Sequence, residues 1–189
     1  MIPETLFKNL VIRTMKAADL PRVGQIDQQS FALPWPARSF RYELLENEGS
    51  LLWAAEAEIQ TGERQVIGAI VVWMILDEAH IATLAVDPAY RGKGIGAALM
   101  AEALSGAIHH GATQATLEVR VQNLAAQKLY RRFGFEIVGR RFRYYQDNQE
   151  DALIMTTGRL DGPYQHWLES GGWKTQVWNL AGGDNRESA

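Results

Sequence analysis

The sequence predicts a single mixed domain of strands and helices, of the α/β (α+β) class. Three observations predict it. Stretches with a two-residue apolar period alternate with stretches whose apolar residues recur every three to four positions. Their order is β-α-α-β-β-β-α-β-α-β-β, which suits a mixed sheet flanked by helices. The length of 189 residues allows one full core and a short appendage. No internal repeat is visible.

Val11, Arg13 and Met15 alternate with Ile12 and Thr14 in a short first strand. AADLPRVGQIDQQSF (17–31) reads as a helix, with Asp19 placed to cap it and Pro21 tolerated in its first turn. Pro34 and Pro36 stiffen the turn in LPWP, and 37–47 reads as a second helix closed by Gly49. Residues 50–59 and the β-branched run 66–76 read as strands joined through QTGER. Asp77 and Glu78 turn the chain into a third strand of this group, 80–86, which Pro88 closes. Ile95, Leu99, Ala103, Ala107 and Ile108 set a helical period over 94–110, ended by Gly111. TQATLEVRV (113–121) alternates as a strand. Asn123 suits an N-cap, Ala126, Tyr130 and Phe133 share one helical face, and Gly134 suits the position after the helix. FEIVGRRFRYY (135–145) and DALIMTTGRL (151–160) read as strands joined by QDNQE. Residues 1–160 are the predicted domain and 161–189 an extension. In the extension GPYQHWLES reads as a short helix and AGGDNRESA as disordered. Trp167, Trp173 and Trp178 would cover an apolar patch or meet a partner.

Composition removes several classes of function. A formal charge of −3 gives no global basic field for nucleic acid or anionic lipid. The longest apolar run, 66–76, is too short for a bilayer, and MIPETLFKNL lacks a basic-then-apolar leader pattern. A cytoplasmic protein, monomeric or weakly dimeric, is the default expectation. The absence of cysteine excludes disulfides, thiolate metal sites and a cysteine nucleophile. No serine stands in a G-x-S-x-G elbow. His109 and His110 are adjacent on a helix and lack a further ligand at metal spacing, so no metal is expected. They suit the negative end of the helix dipole.

The stretch DPAYRGKGIGAALM carries the chemistry. It joins a strand ending at Val86 to a helix beginning near Gly94. Gly92, Gly94 and Gly96 let the backbone turn tightly, and first-turn amides and the helix dipole face one point. Such a place binds phosphate or diphosphate, and Arg91 and Lys93 add charge. A Walker loop would need Ser or Thr after Lys93, where Gly94 stands. Gly92, Gly94 and Ala97 do satisfy the dinucleotide pattern G-x-G-x-x-G/A, with Glu118 about 20 residues on. Pro88, the loop before the first glycine and the mid-strand place of Glu118 count against that reading.

The pattern Arg91-x-x-Gly94-x-Gly96, preceded by LAVDPAYRG, resembles the acetyl-CoA diphosphate loop of the GNAT family of N-acetyltransferases. The element order from about residue 10 to 159 is similar to that family's. LPWPARSF, LDEAH, LEVRVQNLAAQKLYRRFGF and RRFRYYQDNQEDALIM resemble, in order, the branch that acts on alanine-initiated ribosomal proteins. The resemblance implies a mostly antiparallel sheet and acetyl transfer from acetyl-CoA to the N-terminal amine of a protein. A family member acting on lysine or a small amine, a silent coenzyme-binding module and a nucleotide-dependent oxidoreductase are the alternatives.

Direct attack by an amine is the simplest route without a cysteine, and it needs a base and a proton for the thiolate. Glu118, mid-strand between Leu117 and Val119, is the candidate base; alternatively it is an exposed carboxylate paired with Arg120. Tyr130 is the candidate acid; alternatively it is a core tyrosine. The resemblance favours the catalytic role for both. It also implies that Leu84, Ala85 and Val86 lie along the pantetheine, that Asn123 contacts it, and that Arg91, Gly92, Lys93, Gly94, Ile95, Gly96 and Ala97 take the diphosphate. Trp35, Tyr144 and Tyr145 would flank the acceptor by the same analogy; alternatively they are ordinary packing aromatics, and Arg140, Arg141 and Arg143 would only decorate a solvent face. An α-amine, with pKa near 7.7–8.0, is far easier to deprotonate than lysine near 10.4, which suits one glutamate base.

Overall fold

Seven strands form one sheet, in the order β1-β2-β3-β4-β5-β7-β6, in a computed structural model that describes residues 7–178. The strands are β1 (Phe7–Thr14), β2 (Ser50–Ile59), β3 (Arg64–Ile75), β4 (Glu78–Val86), β5 (Gln114–Arg120), β6 (Phe135–Tyr145) and β7 (Glu150–Thr157). All neighbouring pairs are antiparallel except β4 with β5. Helices α1 (Leu20–Ser30), α2 (Ala37–Leu45), α3 (Ile95–His109), α4 (Leu124–Arg132) and α5 (Gly162–Glu169) complete the fold. No helix among the described residues is long and apolar enough to cross a membrane.

Strands β2 and β3 are apolar on both faces because both faces are covered. Trp53, Ala55, Ile67, Ile70 and Val72 enter a core shared with Leu99 and Leu104 of α3, Tyr130 of α4 and Tyr164 of α5. Leu52, Ala54, Val66, Ala69 and Val71 enter a second core with Val23 and Ile26 of α1 and Phe40 of α2. Helix α3 sits tightly on β2 at Gly106. A Cβ there would fall 2.3 Å from the Trp53 ring, so any side chain would push the helix off the sheet.

Several boundaries differ from the sequence pattern, each for a physical reason. β1 starts at Phe7 because it pairs with β2 there, opposite Ile59, and a bulge between Lys8 and Val11 hides the alternation. Asp19 stands before α1 but caps no amide of it. Its carboxylate takes Arg13 Nη1 and the Lys16 N–H, each at 2.7 Å. α2 ends at Leu45, and Glu46 leaves helical geometry. β7 stops at Thr157, and the chain turns so that Leu160 N–H bonds Thr113 O at 2.8 Å.

Residues 160–178, the described part of the chain after β7, pack on the main core. The Tyr164 hydroxyl donates to Phe133 O at 2.8 Å, and Trp167 meets the Phe133 ring edge-on at 5.8 Å. Trp173 stacks on Phe133, and Trp178 N–H reaches Arg132 O at 3.0 Å. The segment 181–189, expected to be disordered, lies outside the described residues.

Candidate active site

The parallel junction of the sheet is also its opening. β4 and β5 pair only at Glu78↔Gln114, Ala79↔Ala115 and His80↔Thr116. Beyond that point residues 81–86 stay with β3 and residues 117–120 with β7, and the two strands part. A bulge helps to bend β4: Val71 faces Thr83 and Val72 faces Ile81, which leaves Ala82 unpaired. Among the described residues, the inner edge of β4 through Leu84, Ala85 and Val86 is therefore free of any strand.

Glu118 stands on the opposite wall, its side chain 11% exposed. Its Oε1 lies 3.1 Å from Arg141 Nη2 and its Oε2 3.3 Å from His80 Nε2. Arg120 is not its partner. That guanidinium holds both Asp147 oxygens at 3.0 and 2.9 Å and Glu150 Oε2 at 3.2 Å. It lies 3.8 Å over the Tyr145 ring. Arg141 is thus no mere decoration of a solvent face. It reaches from β6 across β7 to β5, because β7 lies between them in the sheet. Arg140 and the Arg143 N–H instead hold Asp151, each at 2.7 Å.

Behind His80 runs a ladder of flat rings. Trp73 stacks on His80 at 5.5 Å and 12°, and Trp35 stacks on Trp73 at 5.9 Å and 16°. Trp73 Nε1–H is fixed by the buried Glu43 carboxylate at 3.0 Å, which also takes Asn47 Nδ2 at 2.8 Å and the Ser50 hydroxyl. Trp35 N–H donates to Asp27 at 2.7 Å, and burial raises that carboxyl above its ordinary range. Trp35, expected on the acceptor side, is thereby linked to Glu118 through two rings.

Tyr145, also expected there, sits close by. Burial pushes its phenol up to about 12 against the lowering field of Arg120. Tyr144 meets it edge-on at 5.2 Å and is 44% exposed. Between Arg141 and Tyr145 the β6–β7 register shifts, which Arg143 at φ 51° helps to absorb. Tyr130 is buried beside Phe135 at 5.9 Å, and burial, with a contribution from Tyr145, raises its phenol far above the ordinary value. Asn123 caps α4, its Oδ1 accepting from Ala126 N–H at 3.1 Å.

The glycine loop lies at the far end of β4. Asp87 ends the strand, accepts from Ala89 N–H at 2.9 Å and pairs with Arg22 of α1, which also holds Val66 O at 3.2 Å. Gly92 (φ 74°) and Gly94 (φ 82°) are left-handed, and nothing lies within 4 Å of where a Cβ would stand. Conformation, not crowding, is what requires glycine there. Gly94 precedes α3 and brings no side chain to its first-turn amides, so these remain open at the positive end of a 15-residue helix. Lys93 is exposed, whereas Arg91 is engaged: Nε donates to Val86 O and Nη2 to Ser30 Oγ, each at 2.9 Å.

The dinucleotide alternative fails on this geometry. The strand reaches the first glycine only through a turn at Pro88–Tyr90. Glu118 lies mid-strand and is engaged by Arg141 and His80, whereas a ribose-binding acid sits at a strand end. His109 and His110 each place Nδ1 against a backbone carbonyl one turn back, at 2.7 and 2.8 Å. The residues missed in the sequence are Trp73, Glu43 and the special place of Arg141. Trp73 was within reach, because a tight turn at Leu76 and Asp77 puts it opposite His80 by simple counting.

The chain is similar to known acetyltransferases. The acetyltransferase (GNAT) family profile matches residues 20–135. A Bacillus subtilis relative, provisionally named a ribosomal protein bS18-alanine N-acetyltransferase, is 38% identical over 144 residues, 76% of this chain and 92% of that protein. The crystal structure of the ribosomal-protein-S18-alanine N-acetyltransferase from Escherichia coli is 32% identical, with TM-score 0.69 over 79% of this chain and 93% of that one. A chain of the NatC complex bound to Gag peptide and CoA is 25% identical, with TM-score 0.70 over 80% of this chain and 99% of that one. The chain, with its parted strands and glycine-capped helix, belongs to the acetyltransferase (GNAT) family.

Proposed function

We propose that the chain transfers acetyl from acetyl-CoA to the N-terminal α-amine of a protein, with an alanine-initiated ribosomal protein as acceptor. The observation that carries this reading is the cleft itself: β4 and β5 part beside one carboxylate, Glu118, with the glycine loop at the far end. The relatives named for alanine N-acetylation of a ribosomal protein supply the acceptor class.

The residues present suit the coenzyme. The open inner edge of β4 at Leu84 and Val86 fits an amide-bearing arm laid alongside as an added strand. The open amides at the start of α3, with the cations of Arg91 and Lys93, fit a diphosphate. Asn123 offers its Nδ2 as a donor to the arm while Oδ1 caps α4. Acetyl-CoA supplies an activated thioester and a thiol leaving group.

The chain's own residues then move protons and orient the acceptor. Glu118 takes a proton at its carboxylate from the acceptor's ammonium, leaving a neutral amine. Tyr130, kept protonated by burial, holds a proton at its hydroxyl for the departing sulfur. Trp35, Tyr144 and Tyr145 flank the acceptor's path. The test is acetylation of peptides with the modified atom located by mass spectrometry. Acetyl on the α-amine of an alanine-leading peptide is expected. Acetyl found only on lysine side chains or on a polyamine overturns the acceptor assignment.

A further inference from the structure

We propose that His80 is a positioning residue for the proton transfer at Glu118. The proposal rests on the reading of Glu118 as the base. His80 is the last β4 residue paired with β5 before the strands part, so it occupies the apex of the cleft. Its Nε2 lies 3.3 Å from Glu118 Oε2, while Arg141 holds Oε1 at 3.1 Å. The carboxylate is thus flanked from two strands, one oxygen to each side.

The two flanks are unequal in rigidity. Arg141 is a long side chain, 54% exposed, and solvent screens its attraction. His80 is 20% exposed and its ring cannot swing freely. Trp73 faces it directly across β3 and β4 and stacks on it at 5.5 Å. Trp73 is itself pinned by Glu43 through its Nε1–H and by the Trp35 ring on its other side. A ring held this way limits where the Glu118 carboxylate beside it can sit, which is how supporting groups position reacting ones. The charged or titratable groups facing this pair are Glu118 itself, Arg141 from β6, Tyr145 from the end of β6 and Glu43 behind Trp73.

His80→Phe keeps the stack and removes the nitrogen; His80→Gln restores an Nε donor without the ring. His80→Phe is expected to lower kcat about tenfold, the loss of one polar contact to a charged group, with KM for acceptor and Tm little changed. His80→Gln is expected to recover most of that loss. In a Glu118→Gln background His80→Phe is expected to add less than about twofold, since the proton acceptor that His80 positions is gone. A His80→Phe enzyme at wild-type rate, with Glu118→Gln slow, overturns this proposal alone. So does a loss as large in the Glu118→Gln background as in wild type, or a loss that follows Tm and resists rescue by Gln. Glu118→Gln at wild-type rate overturns the base reading and this proposal with it.

Discussion

Arg141 of β6 reaches across β7 to place its Nη2 3.1 Å from Oε1 of Glu118 on β5. A carboxylate at the edge of a cleft is thereby held by a side chain two strands away. If Glu118 is the base, Glu118→Gln keeps the shape and loses the proton acceptor. We expect kcat to fall about 100-fold or more, with the acetyl-CoA Kd within about twofold by calorimetry. An unchanged kcat in steady-state thiol release would remove Glu118 from the chemistry.

Tyr130 is buried, and burial raises its phenol well above the ordinary value. It therefore stays protonated across any working pH and would meet a departing thiolate as a neutral donor. Tyr130→Phe is expected to slow turnover about tenfold or more without adding or removing a limb of the pH–rate profile. Loss of a basic limb in the mutant would contradict this.

Gly94→Ala tests the loop's conformation. No atom obstructs the new methyl, so the effect comes from φ 82° alone, at about 1–2 kcal/mol. Relaxation of that residue moves the first-turn amides of α3. We expect the acetyl-CoA Kd to rise about tenfold, measured by titration calorimetry. An unchanged Kd would place the diphosphate elsewhere.

Acid stability is set partly around Arg13, which joins β1, β2 and the turn before α1. Burial alone would raise Asp19, but Arg13 and the Lys16 N–H outweigh it and hold the carboxyl below its ordinary value. Arg64 and then Arg13 do the same for Glu56. A carboxylate lowered in the folded state adds stability that is present above its unfolded value, about 3.9 to 4.3, and lost as pH falls through the folded value. Arg13→Met should cost about 2 kcal/mol at pH 7, with the deficit shrinking below about pH 4 in urea melts. A deficit that is constant with pH would mean that packing, not charge, is what Arg13 contributes.

The Tyr164 hydroxyl closes α5 onto the end of α4 through Phe133 O. Tyr164→Phe leaves that buried carbonyl unpaired and should cost about 1–2 kcal/mol by thermal melting. No change would mean that ring packing alone holds α5.

Much of the fold was legible because local chemistry sets it. The period of α3, the proline-marked start of α1, the Asn123 cap and the left-handed glycines 92, 94 and 134 depend on near neighbours only. The glycine loop's geometry was legible for the same reason, since the loop and its helix are contiguous. Ladder length was less so: β1 is lengthened by pairing with β2, which no alternation in its own residues announces.

The sequence by itself determined the order of elements and the glycine loop that opens α3, and its family resemblance singled out Glu118 and Tyr130 as candidates. Only the tertiary structure decided which partner each charged side chain takes. Arg120 is adjacent in sequence pattern to Glu118 yet serves Asp147 and Glu150, while Arg141 and His80 meet Glu118 from other strands. The reason is geometric: strand order and register are set by burying apolar faces over the whole sheet, and a polar side chain then pairs with whatever that register brings within a few ångströms. Glu118 owes its surroundings to a sheet in which β7 is inserted between β5 and β6, a placement that no residue near position 118 encodes.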